Sequence, residues 1–144
     1  MIVTICLLAL IYLMRGKDVD ELLDKVKNVD FTLKAHEMLE RLKRHALKIG
    51  RTAARPLVQL YYVLANKNTA LLDKVLIYAA LIYIISPVDL LPRSIYHLLG
   101  VLDDGAALLF VMNRVKKNIT DEVDTKVNKL LDQWFGKEIK IIVE

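Results

Sequence analysis

The sequence predicts an all-α protein. The expected form is a compact helical bundle of about six helices around a central apolar helical hairpin, with an apolar anchor helix at the N-terminus. Three observations predict it. Glycine (five) and proline (three) are scarce, while Leu, Ala, Lys and Ile dominate, a composition that favours helices joined by short turns. Apolar residues recur at three- and four-residue intervals in several segments. Two runs, residues 2 to 14 and 75 to 85, are apolar almost throughout, as expected of helices enclosed on all sides.

The chain of 144 residues is one domain's worth of protein with room for one modest core. Its hydrophobic fraction of 55% and mean hydropathy of +0.35 are high for a soluble domain. Charged residues at 26% argue against a simple polytopic membrane protein. The lone cysteine, Cys6, rules out an intramolecular disulfide and reads as an apolar filler. His36, His45 and His97 form no cluster at zinc-ligand spacing.

Residues 2 to 14 (IVTICLLALIYLM) are apolar except for Thr4, and Arg15 and Lys17 follow. No positive charge precedes the run and no small-residue cleavage site follows it, so a secretory signal is not the expected reading. The following charges place the rest of the chain on the cytoplasmic side if the run enters a membrane. Thirteen helical residues rise about 20 Å against a bilayer core of about 30 Å. The run is read as an anchor because it has no polar face; the alternative is a buried helix packed on the domain.

Residues 18 to 29 read as a short amphipathic helix with Asp18 as its N-cap. Residues 31 to 49 form a clearer helix, capped by Asp30 and ended by Gly50. Phe31, Ala35, Met38, Leu39, Leu42, Ala46 and Ile49 make its apolar stripe. Its polar side and exit carry Lys34, Arg41, Lys43, Arg44, Lys48, Arg51 and Arg55, opposed within residues 34 to 55 only by Glu37 and Glu40. A basic amphipathic helix suits an anionic lipid surface; the bland alternative is the solvated face of a bundle. Nucleic acid is not an expected partner, because no aromatic residues interleave with these charges and no nucleic-acid motif is present.

Pro56 suits the first turn of a helix over 56 to 66. Asn68 or Thr69 can cap the next, over 70 to 85. A short helical piece over 94 to 99 and an apolar helix over 104 to 118 follow. The last helix, over 121 to 135, is preceded by Thr120 and ended by Gly136. Residues 139 to 143 read as an extended apolar tail.

The junction within the central hairpin is the most distinctive stretch: Ile84-Ile85-Ser86-Pro87-Val88-Asp89-Leu90-Leu91-Pro92, then Leu99-Gly100-Val101-Leu102-Asp103-Asp104. Ser86, Pro87 and Asp89 have the spacing of a variant capping box. Asp103 and Asp104 precede an apolar helix, where acids meet free N–H groups and the positive end of the dipole. Alternatively, Asp89, Asp103 and Asp104 converge at one mouth of the hairpin as a carboxylate site for a divalent cation, or pair with Arg93. An enzyme built on them would have His97 as its only general-base candidate.

This motif resembles the signature of the YkvA-type domain, a small bacterial domain of unknown function often found in membrane-associated proteins. Ser86, Pro87, Asp89, Pro92, Gly100, Asp103 and Asp104 carry the resemblance as structural-motif residues. Leu60-Tyr61-Tyr62-Val63-Leu64 and Leu71-Leu72-Asp73-Lys74 resemble its lead-in helix, and Leu131-Asp132-Gln133-Trp134-Phe135-Gly136 its closing helix. The resemblance spans about residues 57 to 136. One departure stands out: the family usually follows the second proline with an acid, and here Arg93 stands in its place. That removes a cation ligand and favours an Arg–Asp pair. The resemblance implies a fold and a membrane context, and no reaction.

The expected organisation is an apolar membrane anchor (1–17), an amphipathic basic helical region (18–55), a YkvA-like helical domain (56–136) and a C-terminal tail (137–144). The expected function is that of a non-enzymatic membrane-associated protein at the cytoplasmic face of a bacterial inner membrane. Lipids of an anionic leaflet are the expected partners, held by the seven basic residues above. No catalytic residue, cofactor or metal is expected. One alternative is an accessory subunit of a membrane protein complex; another is the carboxylate cation site or a metal-dependent enzyme. Pro87→Ala or Asp89→Ala is expected to impair folding rather than an activity.

Overall fold

Local signals place the helix ends in the computed structural model, which describes residues 2–85 and 104–136. The helices among these residues are α1 (Ile2–Met14), α2 (Asp20–Val26), α3 (Phe31–Ile49), α4 (Arg51–Ala65), α5 (Leu71–Ile85), α6 (Asp104–Val115) and α7 (Asp121–Phe135), with a 3₁₀ turn at Lys116–Asn118. The described residues contain no strand. Asp30 caps α3 by accepting from the Leu33 N–H at 3.1 Å, and Thr120 caps α7 by accepting from the Val123 N–H at 3.3 Å. Gly50 ends α3 at φ +94° and Gly136 ends α7 at φ +77°, where a side chain would be strained.

Three polar contacts fix how the helices run. Thr32 Oγ1 at the start of α3 donates to the Ala65 carbonyl at the end of α4, so α3 and α4 form an antiparallel hairpin about Gly50. Arg114 in the last turn of α6 pairs with Asp73 in the first turn of α5 at 3.1 Å, so α5 and α6 are antiparallel too. Arg51, Arg55 and Gln59 along α4 meet Asp132, Asn128 and Asp124 along α7, which sets α7 antiparallel to α4.

Helix α5 is the hub. Every residue from Val75 to Ile82 is buried, and α1, α3, α4 and α6 all pack on it. Phe31 of α3 meets Tyr78 edge-on, with ring centroids 5.7 Å apart. The uniformly apolar run is thus a core helix, wrapped by neighbours on each side. The central hairpin expected from the sequence is present as α5 and α6.

The N-terminal anchor is not confirmed. Helix α1 packs on α5 and α2, and Cys6, Leu7, Ala9, Leu10 and Ile11 are buried in the main core. Absence of a polar face made an anchor the preferred reading, but enclosure by other apolar helices satisfies such a surface equally well. No helix among the described residues is long and apolar enough to cross a membrane.

Smaller differences have local causes. Helix α4 begins at Arg51, so Pro56 lies inside it and not at its first position. The ring removes the N–H that would bond to the Thr52 carbonyl, and Thr52 is exposed, so water can serve that carbonyl. Thr69 does not cap α5; its hydroxyl donates back to the Val63 carbonyl at 2.7 Å. Asp18 accepts from the Asp20 N–H at 3.0 Å, ahead of an α2 shorter than expected. The expected piece at 94–99, the tail and the junction motif between Ile85 and Asp104 lie outside the described residues.

A second, smaller core sits beside the first. Val123, Val127, Leu130 and Leu131 of α7 close on Ala46 of α3 and on Ala54 and Val58 of α4. Trp134 and Ile119 touch both cores from a half-buried position.

Candidate functional site

The seven cations expected to face a lipid surface divide into two groups. On α3, the buried stripe of Phe31, Ala35, Met38, Leu42 and Ala46 turns the opposite face outward. Arg41, Arg44 and Lys48 are exposed on that face and Lys43 is half-buried on its flank. None of these four makes a hydrogen bond or ion pair to another described residue. Lys34 pairs with Glu37 one turn along at 3.5 Å. Two leucines and an isoleucine share the exposed side or end of the helix: Leu33 at 53%, Leu47 at 48% and Ile49 at 39% exposure. The C-terminal half of α3 therefore presents cations interleaved with apolar side chains and no acid.

Arg51 and Arg55 belong to a different arrangement. Arg51 donates to Asp132 Oδ1 at 2.8 Å and to the Gly136 carbonyl at 3.4 Å. Arg55 donates to Asn128 Oδ1 at 2.7 Å, and Gln59 to Asp124 Oδ1 at 3.0 Å. These two arginines are held by α7 and are not simply offered to a surface. Sequence reasoning did not single out Gln59, Asp124, Asn128 and Asp132. The available signal was spacing: Arg51, Arg55 and Gln59 recur every four residues, as do Asp124, Asn128 and Asp132, so each set lines one helix face.

Among the described residues, burial dominates the shifts of the titratable groups in the core. Burial pushes the Cys6 thiol up to about 12, which keeps it protonated and poorly nucleophilic. Burial, then the neighbouring Cys6 and Glu37, raise the Tyr78 phenol, with Arg41 opposing. Partial burial lowers His45, and the nearby Lys48 charge lowers it further. Burial also raises Tyr61 and Tyr62, whose rings meet edge-on at 5.1 Å.

Among the described residues no group of three or more His, Cys, Asp or Glu is placed to hold a metal ion. Of the motif residues, Ser86, Pro87, Asp89, Pro92, Gly100 and Asp103 lie outside the described residues, as does His97, and Asp104 opens α6. A cleft of about 370 Å³ lies between the end of α4 and the start of α7, lined by Tyr62, Ala65, Asn66, Asn68, Glu122, Val123 and Lys126. It offers amides and one charge of each sign, and no activated nucleophile.

Residues 73–110 match the model of a family described as a protein of unknown function (DUF1232). The matched stretch runs from the first turn of α5 into α6 and so takes in the central hairpin, in agreement with the resemblance carried by the junction motif. No curated protein and no solved structure matches the chain.

Proposed function

We propose that this chain, which carries the unknown-function segment at residues 73–110, is a non-enzymatic helical module that docks on an anionic membrane surface. The observation that carries the reading is the C-terminal half of α3, where exposed Arg41, Arg44 and Lys48 surround exposed Leu47 and Ile49 without an acid between. Cations near an anionic leaflet contribute about 1 kcal/mol each. Four of them, counting Lys43, supply about 4 kcal/mol, roughly a thousandfold in partition, and salt screens it. The apolar side chains add insertion into the headgroup boundary. Binding of that strength is peripheral and reversible, and the cytoplasmic leaflet of a bacterial inner membrane is the surface this reading assigns.

Vesicle co-sedimentation tests it. The chain is expected to pellet with vesicles rich in phosphatidylglycerol, to stay in solution with pure phosphatidylcholine, and to be released by high salt. Arg44→Glu combined with Lys48→Glu is expected to abolish the pelleting. Equal partition into both vesicle types, or none into either, would overturn the proposal.

A second reading, an accessory subunit of a membrane protein complex, is favoured by Leu109 of α6, which is 64% exposed beside half-buried Leu108 and Phe110. Cross-linking in membranes through Leu109→Cys is expected to yield a defined heteromeric product under this reading, and a monomer band under the first.

A further inference from the structure

We infer that the outward face of α3 pairs antiparallel with the same face of a second copy of this chain, giving a weak two-fold dimer. The dimer goes beyond the lipid-docking reading and does not rest on it.

Leu33, Glu37, Glu40, Arg44 and Leu47 are all exposed. Their spacing of four, three, four and three residues sets them on one line along α3, opposite the buried stripe. An exposed leucine thus stands at each end of a charged stretch. Lipid docking by the C-terminal half of the helix uses Leu47 and leaves Leu33 uncovered, because Leu33 lies on the side of Glu37 and Glu40, which an anionic leaflet repels. A partner with the reverse pattern covers both leucines.

The order of the charges makes the face its own complement. Glu37 and Glu40 come before Arg41 and Arg44 in the chain, so reversing one helix sets acids against cations. Turned about the midpoint between Glu40 and Arg41, Glu40 stands opposite Arg41 of the second copy and Glu37 opposite its Arg44. Leu33 then falls within one residue of its Leu47. Two-fold symmetry repeats each pairing, so one patch supplies four opposite-charge pairs and two leucine contacts. Parallel pairing in register would set like charges together, so charge fixes the direction.

These charges are available. Among the described residues Glu40, Arg41 and Arg44 make no ion pair, although Glu40 and Arg44 stand one turn apart. Glu37 pairs with Lys34 at 3.5 Å on the surface. Exposed ion pairs each contribute little, so the dimer is weak and salt-sensitive. Where lipid docking also holds, leaflet and second copy compete for Arg41 and Arg44.

Sedimentation equilibrium of the full chain without lipid tests the dimer. At low salt the wild type is expected to pass from monomer toward dimer between about 5 and 500 μM, and salt at about 0.5 M to shift it back. Glu37→Lys with Glu40→Lys makes the charges of the stripe all cationic, and Arg41→Glu with Arg44→Glu makes them all acidic. Each double variant alone is expected to self-associate at least about tenfold more weakly, and an equimolar mixture to restore the dimer. Wild type that stays monomeric at the highest concentration, or a dimer that salt leaves intact, overturns the inference. So do variants that each dimerise like wild type, or a mixture that stays monomeric while both variants keep the wild-type circular dichroism. If either variant misfolds, the wild-type concentration and salt series decides. No lipid is present, so failure here leaves the docking reading standing, and failure of vesicle binding leaves the dimer standing.

Discussion

Replacing Leu10 by Ala tests whether α1 is a structural member of the bundle. Leu10 is fully buried in the core that α1 shares with α5. The substitution removes three carbons, which at about 0.8 kcal/mol each lose roughly 2.4 kcal/mol of transfer free energy. Buried Leu→Ala changes leave a cavity that neighbours only partly fill, which brings the expected cost to about 3–5 kcal/mol. That is a large share of the 5–15 kcal/mol typical of whole domains. At about 2–4 °C per kcal/mol for a chain near this size, the melting temperature falls by roughly 6–20 °C. Far-UV circular dichroism during heating and in urea measures it. Leu8→Ala, at a half-buried position on the same helix, is the control and should cost less than half as much. If Leu10→Ala melts with the wild type, α1 does not pack on α5 and the reasoning about its apolar surface is wrong.

Three further outcomes are expected. Gly50→Ala should lose about 1–3 kcal/mol in urea titration although nothing lies within 4 Å of an added Cβ, because φ +94° with ψ 163° strains any side chain; a neutral result would contradict the single-residue turn. His45 binds its proton less readily in the folded chain than in the unfolded one, so its contribution to stability is present above pH 6.5 and declines as pH falls from there toward its lowered pKa. His45→Asn should flatten that slope, and a denaturation midpoint with the same pH dependence in both proteins would refute the assignment. Cys6 should resist alkylation below its raised pKa of about 12 until denaturant opens the fold, so labelling at a free-thiol rate in the native protein would refute its burial.

The amphipathic helices were the most legible. In α3 and α7 one apolar stripe, one capping side chain and one terminal glycine agree, so Asp30 to Gly50 and Thr120 to Gly136 can be read with their ends. The start of α4 was not legible, since Pro56 suggests a first position while the helix opens at Arg51. Of the seven cations expected on α3 and its exit, two, Arg51 and Arg55, stand on α4 and have partners eighty-one and seventy-three residues away in the chain. Long-range pairing of that kind leaves only a faint trace in sequence, here the matching four-residue spacing on two helices.

The sequence by itself determined that the chain is helical, where most helices begin and end, and which face of each is apolar, because these depend on residues within a few positions of one another. Tertiary structure decided what each apolar surface meets. A run of apolar residues says only that water is excluded, not whether lipid or protein excludes it, so the fate of α1 followed from its contact with α5. Likewise the availability of each arginine was decided by what lies across the fold from it, and α7 lies across from Arg51 and Arg55.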